Sequence, residues 1–322
     1  MSEKVYEVAI LGRAVWQLHS LNNEGTVGNV TEPRSIRIID PNTKKAVTTD
    51  GISGEMLKHI HTKFMWILSD KNNLCDACKV LNPEKFNFAV KTGKVKVQNG
   101  EDALQKALQT CDICDVHGFL LEKPTVSRKS TIEFGWALGI PEVYRDIHTH
   151  ARHAPGEKKS KEDQEGETST QMVYHRPTRS GIYAIVSLFQ PWRIGLNETR
   201  QDKYTYDADD DPRTRRYKIA LKAYQLIFSR PEGAMTATRL PHIEDFEGVI
   251  VYSTKPVPVP VISPLKDNYI EEIKTINKSL AESSESKDRI IEVIEFNSLA
   301  EFIEKINDLI KKEPYKIEIG GK

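Results

Sequence analysis

The chain has 322 residues, with 46 Lys and Arg set against 46 Asp and Glu, so its formal net charge is zero and its pI is about 7.1. That length holds one large or two ordinary domains, and the neutral balance argues against a protein that coats nucleic acid through bulk positive charge. No apolar run is long enough to cross a bilayer, and Met1-Ser2-Glu3-Lys4 leads straight into a strand rather than a secretory leader, so the expected location is the cytoplasm.

Residues 5–18 alternate as a strand, with Ala9, Leu11, Arg13 and Val15 on one face and Val8, Ile10, Ala14 and Trp16 on the other. A polar loop is expected over 21–34. A helix follows, opened by Ser53-Gly54-Glu55, with Ser53 as N-cap and Glu55 near the positive end of the helix. Its buried stripe is read as Met56, Leu57, Ile60, Phe64 and Leu68, leaving Lys58, His61 and Thr62 outside it. A polar, cysteine-bearing insert is predicted over about 69–127, with one short helix at 101–110. A strand near 131–138 comes next. A second insert spans 145–180, and its Gly-, Glu-, Lys- and Ser-rich centre, 155–170, lacks the apolar residues to bury a core. Residues 181–189 read as a strand. Residues 213–229 read as a helix with Tyr217, Leu221, Tyr224 and Phe228 on one face and Arg215, Lys218 and Lys222 on the opposite one. A strand at 249–254 and a stiff Val-Pro stretch at 256–264 follow. The C-terminal segment, 267–322, reads as helix–strand–helix. Without the inserts the order is β–α–β–β–α–β, a single α+β ferredoxin-like or RNA-recognition-motif-like palm with an antiparallel sheet and helices on one face.

The N-terminal motif Ser20-Leu21-Asn22, Glu24, Gly28-Asn29, Thr31, Arg34 and then Ile52-Ser53-Gly54-Glu55 resembles that of the DevR-type Cas-seven family, the backbone subunit of type I CRISPR Cascade complexes, in an I-A-like or I-B-like style. Asp115-Val116-His117-Gly118-Phe119 is similar to the family's Asp-Val-x-Gly-Phe segment, and Arg128-Lys129-Ser130-Thr131 with Gly135 resembles its basic strand entry. The motifs cover roughly the first two thirds of the chain, and the layout covers all of it. The resemblance implies an RNA-recognition-like palm carrying a finger insert and a thumb hairpin that folds over guide RNA. It implies copies assembled head-to-tail along one CRISPR guide RNA, other Cascade subunits as partners, and target DNA reached through the guide.

The four cysteines fall in two pairs, Cys75-x-x-Cys78 and Cys111-x-x-Cys114, with residues 79–110 between them. Two such knuckles suit one structural Zn²⁺ held by four thiolates. Paired disulfides and plain buried thiols are the competing readings.

Candidate RNA contacts are drawn from residue chemistry and from the family pattern together. Asn22, Asn29, Thr31 and Arg34 suit phosphates and ribose hydroxyls, or else form an ordinary polar turn. Ser53 and Gly54, with Lys58, His59 and His61 on the next turn, form an anion site at a helix start, or a plain cap. Arg128 and Lys129 belong to the basic strand entry. In the second insert, His148, His150, His153, His175, Arg176 and Arg179 suit stacking and phosphate contact, a metal site, or a solvated loop. Arg239 lies in the loop Gly233–Pro241, and the Arg215, Lys218, Lys222 face is basic or merely solvated.

Relatives in type III complexes cut RNA with an aspartate after the first strand. Between His19 and Ile39 this chain has Glu24 and Glu32 and no Asp. The expectation is therefore a non-catalytic RNA-binding subunit. A metal-dependent ribonuclease using Glu24 or Asp209–Asp211, and a DNA-binding autoregulator, are the alternatives.

Overall fold

The computed structural model describes residues 3–152, 172–199, 204–206, 211–282 and 291–318. The strands in chain order are β1 (Lys4–Val5), β2 (Glu7–His19), β3 (Asn23–Val27), β4 (Val30–Pro33), β5 (Ser35–Ile39), β6 (Ala46–Ile52), β7 (Phe119–Leu121), β8 (Val126–Arg128), β9 (Ile132–Phe134), β10 (Ala137–Gly139), β11 (Tyr144–Arg152), β12 (Met172–Phe189), β13 (His242–Ser253), β14 (Ile291–Phe296) and β15 (Glu313–Pro314). The helices are α1 (Gly54–Leu68), α2 (Asp76–Lys79), α3 (Phe86–Lys91), α4 (Gly100–Thr110), α5 (Asp112–His117), α6 (Asp211–Ser229), α7 (Tyr269–Glu282) and α8 (Leu299–Ile310).

The main sheet runs β14–β13–β2–β12–β10–β6–β5, with antiparallel neighbours throughout. β2 is central because it is apolar on both faces. Val8, Ile10, Ala14 and Trp16 join one core with α1, α6 and α8; Ala9 and Leu11 join another with Val249, Val251, Val259, Tyr269 and Ile273. The Val8–Trp16 face is buried throughout, and the other is buried at Ala9 and Leu11 and half-buried at Arg13 and Val15. β9 and β10 replace the single strand expected at 131–138. Both lie against β12, separated at Gly135, whose N–H still donates to Val186 O at 2.9 Å.

Three expectations change. The loop at 21–34 is the hairpin β3–β4, turned at Gly28, whose φ is +60°. The first insert carries α2, α3, α4 and α5 rather than one helix, and it has an apolar core of its own that includes Phe86, Leu104, Leu108, Ile113 and Leu121. The second insert is flanked by strands: β11 pairs residue for residue with the first half of β12, from Tyr144 opposite Ser180 to Arg152 opposite Met172. Its centre, 155–170, lies outside the described residues. No helix among the described residues is long and apolar enough to cross a membrane.

Candidate nucleic-acid interface and metal centre

The two hairpins meet. The β4 residue Val30 registers with His175 of β12, the His175 N–H donates to Asn29 O at 2.8 Å, and Asn29 Nδ2 donates to Val173 O at 3.0 Å. Arg176 donates to the hydroxyl of Thr31, which is buried. Alternation along β12 puts Tyr174 and Arg176 on one face, and the guanidinium of Arg176 lies 5.1 Å from the Tyr174 ring. Opposite Tyr174 in register is His150, whose ring stacks on it at 5.3 Å and 15°. Arg239 reaches across from its loop and donates to His150 Nε2 at 3.0 Å. The result is a cationic and aromatic stack, Arg239–His150–Tyr174–Arg176, braced by Thr31. Such a surface offers π-faces and fixed positive charge together.

A second group surrounds the start of α1. Ser53 caps the helix through Met56 N at 3.2 Å, and its own N–H donates to Asn22 Oδ1 at 2.9 Å. Asn22 is therefore a brace for the helix. Gly54 packs so closely that a Cβ would lie 2.3 Å from Phe134 O. Lys58, Lys85, His117, Lys129 and Trp136 line the adjoining cleft of about 550 Å³. Burial, and then the neighbouring charge of Lys85, hold the Lys58 ammonium below its usual range. Arg34 lies 5.7 Å from the Trp136 ring and 3.2 Å from Glu24 Oε1, which links this cleft to the β3–β4 hairpin. His59 is exposed on α1.

Three of the expected basic contacts, His61, Arg128 and Arg179, are instead internal. His61 is fully buried: Leu57, His61 and Phe64 recur at helical spacing, and the ring fits between α6 and α5, bonding Ala220 O at 3.1 Å and His117 Nε2 at 2.9 Å. Conversely Leu68, read as part of the stripe, is exposed at the helix end. Arg128 has a fully buried side chain that donates to Asp115 Oδ1, Arg193 O and Leu196 O. Arg179 is buried against Asp50, at 2.9 and 3.2 Å, in a network in which Tyr183 donates to Asp50 and accepts from His19. Burial is the main reason that the Asp50 carboxyl stays above its usual range despite that arginine. The basic face of α6 is also partly internal, since Arg215 bonds Asp112 at 3.0 Å. His148 bonds Thr178; His153 and Asp209–Asp210 lie outside the described residues.

The four cysteine sulfurs lie within 4.8 Å of one another, and all are buried. Cys114 Sγ is 3.8 Å from Cys75 Sγ and 3.6 Å from Cys78 Sγ. Four sulfurs about 2.3 Å from a tetrahedral ion stand roughly 3.8 Å apart, so the donor set fits a metal. Neighbouring thiols, Cys111 first, pull Cys75 down toward its thiolate, and burial pushes Cys114 up. The spacing made this centre legible. Tyr174, Trp136 and Lys85 were not singled out from the sequence. The cue for Tyr174 was its i, i+2 relation to Arg176.

A family model described as "CRISPR-associated negative auto-regulator DevR/Csa2" matches residues 10–274. Among solved structures, a chain titled "CRISPR RNA-guided surveillance complex" is similar at TM-score 0.49 and 11% identity, covering 94% of this chain and 98% of that one. Another, titled "CRISPR RNA-guided surveillance complex, pre-nicking", is similar at TM-score 0.47 and 11% identity, covering 89% and 90%. No curated protein sequence matches.

Proposed function

The chain belongs to the CRISPR-associated DevR/Csa2 family; from that premise we propose that it is a backbone subunit of a CRISPR RNA-guided surveillance complex, that it grips guide RNA on the paired hairpins and that it catalyses no reaction. The observation that carries this reading is the Arg239–His150–Tyr174–Arg176 stack resting on Thr31. A stack of this kind holds bases by their faces and phosphates by charge, whatever the sequence. Sequence specificity then belongs to the guide, which pairs with target DNA.

Read this way, β13, β2, β12 and the β9–β10 pair, with α1 and α6 on one face, are a ferredoxin-like palm in the spatial order four-one-three-two. β14 and α8 extend it. The cysteine-bearing insert is a finger, and β11–β12 is the thumb hairpin. Copies join head-to-tail, the heterologous contact that generates an open helical array along the RNA, in a type I-A-like or I-B-like complex. The tetrathiolate centre holds one structural Zn²⁺, which supplies no open coordination position for chemistry.

The test is binding to labelled single-stranded RNA with the integrity of the RNA followed in the same samples. Tight binding with intact RNA, weakened by substituting Tyr174 or Arg176, supports the reading; cleaved RNA, lost on substituting Glu24, supports the ribonuclease instead. The description of the matching family favours a second reading, autoregulatory DNA binding, for which preference for duplex DNA is the mark.

A further inference from the structure

The metal centre and the cationic cleft share one short helix. α5 spans six residues, Asp112–His117, too few to be stable alone. Cys111, its N-cap, and Cys114 stand three apart and face the cysteine centre. Asp112 and Asp115, also three apart, face the palm. Asp112 accepts from Arg216 at 2.7 Å and from Arg215 at 3.0 Å. Asp115 accepts from Arg128 and Arg216, both at 2.7 Å, and from Gly195 N at 2.9 Å. At the end of the helix, His117 Nε2 lies 2.9 Å from His61 Nδ1 on α1. Lys85 donates to the carbonyls of His117 and Gly118 at 3.1 and 2.7 Å, and both of those residues line the cleft with Lys58. Gly118 has a φ of +66°, and a Cβ there would sit 2.1 Å from Arg128 O, so the chain has no slack at this corner.

We infer that the tetrathiolate centre is a lock on RNA binding: Zn²⁺ on Cys75, Cys78, Cys111 and Cys114 fixes α5, and α5 fixes the finger–palm cleft beside Lys58 and Lys85. This rests on the zinc and RNA-binding readings proposed above and adds a regulation to them. Loss of the ion leaves four buried thiols with no common partner and frees α5 from the finger. The Asp112 and Asp115 ion pairs then lose the rigid helix that places them. The cleft opens, while the sheet, whose two cores draw only Val116 from the cysteine-bearing segment, stays folded.

The experiment compares the full chain as purified, after chelation, and after return of Zn²⁺. Zinc is assayed colorimetrically, single-stranded RNA affinity is measured by anisotropy, and amide hydrogen exchange is followed by peptide. The lock predicts about one zinc per chain from the four-thiolate stoichiometry. It predicts a fall in RNA affinity of roughly tenfold or more on chelation, reversed by Zn²⁺. Exchange should rise over 69–130 and the start of α1, with β2, β12 and β13 still protected. Unchanged affinity in zinc-free protein overturns the lock and leaves the structural-zinc reading standing. Simultaneous loss of protection in every strand also overturns it, since the ion would then be a requirement for folding. Protein that never holds zinc removes both. If the zinc-loaded chain binds no RNA, the proposed function fails, and confinement of exchange to the finger and α1 then decides whether the finger is coupled to the palm.

Discussion

His61 looks from its neighbours like a surface histidine, yet it is fully buried between α1, α5 and α6. Its Nε2 bonds Ala220 O, which only an N–H can do, so Nδ1 is the acceptor and His117 Nε2 the donor. That assignment holds for neutral rings, and complete burial keeps both of them neutral. Burial drives the His61 pKa down to about 3 and drives that of His117 the same way. An ordinary histidine titrates near 6.5, so between those two values the unfolded chain binds more protons than the native one. The contribution of His61 is present in full above pH 6.5 and is lost as pH falls toward 3. Urea denaturation at pH 7.5 and 5.5 should show stability dropping by up to about 1.4 kcal/mol per pH unit for each such histidine, and His61→Leu should flatten that slope. Gly54 makes a second residue-scale prediction. Gly54→Ala should lower stability by about 1–3 kcal/mol, because the new methyl meets a backbone carbonyl. Gly25→Ala, with nothing within 4 Å, should change the urea midpoint by far less. The cysteine set was legible because thiol spacing is local. Arg128 and Arg179 were misread because a basic residue in a strand looks the same whether it faces solvent or a buried Asp.

At the level of elements, β11 and β12 matter most. Their register joins His150 to Tyr174 and His148 to Arg176, and no count along the chain gives that pairing across the long connection. Single strands were legible from alternation; which residue stands opposite which was not. Tyr174→Ala should weaken single-stranded RNA binding by about 1–3 kcal/mol, the range for one lost stacking platform. The far-UV circular dichroism should be unchanged, because Tyr174 is only half-buried on the hairpin. Val27→Ser, at an exposed position beside the β3–β4 turn, should leave affinity within error.

Across the whole molecule, the neutral charge balance hides an uneven use of cations. Of the basic residues on α6, Arg213 bonds Ile194 O and Tyr315 O, and Arg215 and Arg216 bond Asp112 and Asp115. They hold α6 to the cysteine-bearing segment and to the C-terminal segment. These internally bonded arginines have no phosphate to meet, whereas Lys58→Ala and Arg176→Ala should each reduce the slope of log RNA affinity against log salt by about 0.7. The strand at β2 and the helices at α1, α4 and α6 were legible because strands and helices leave local periodicities. The core inside the first insert was not, because its apolar residues are dispersed among short helices that make one cluster only in space.

The central claim is stepwise, non-destructive assembly on RNA. It is tested most directly by titrating the pure chain into a labelled single-stranded RNA of guide length, beside a duplex DNA of equal length, and resolving the complexes on a native gel. The account predicts a ladder of evenly spaced complexes on the RNA, full-length RNA recovered from every rung, and weak binding to the duplex. A single complex with no further rungs, shortened RNA, or tighter binding to the duplex would contradict it.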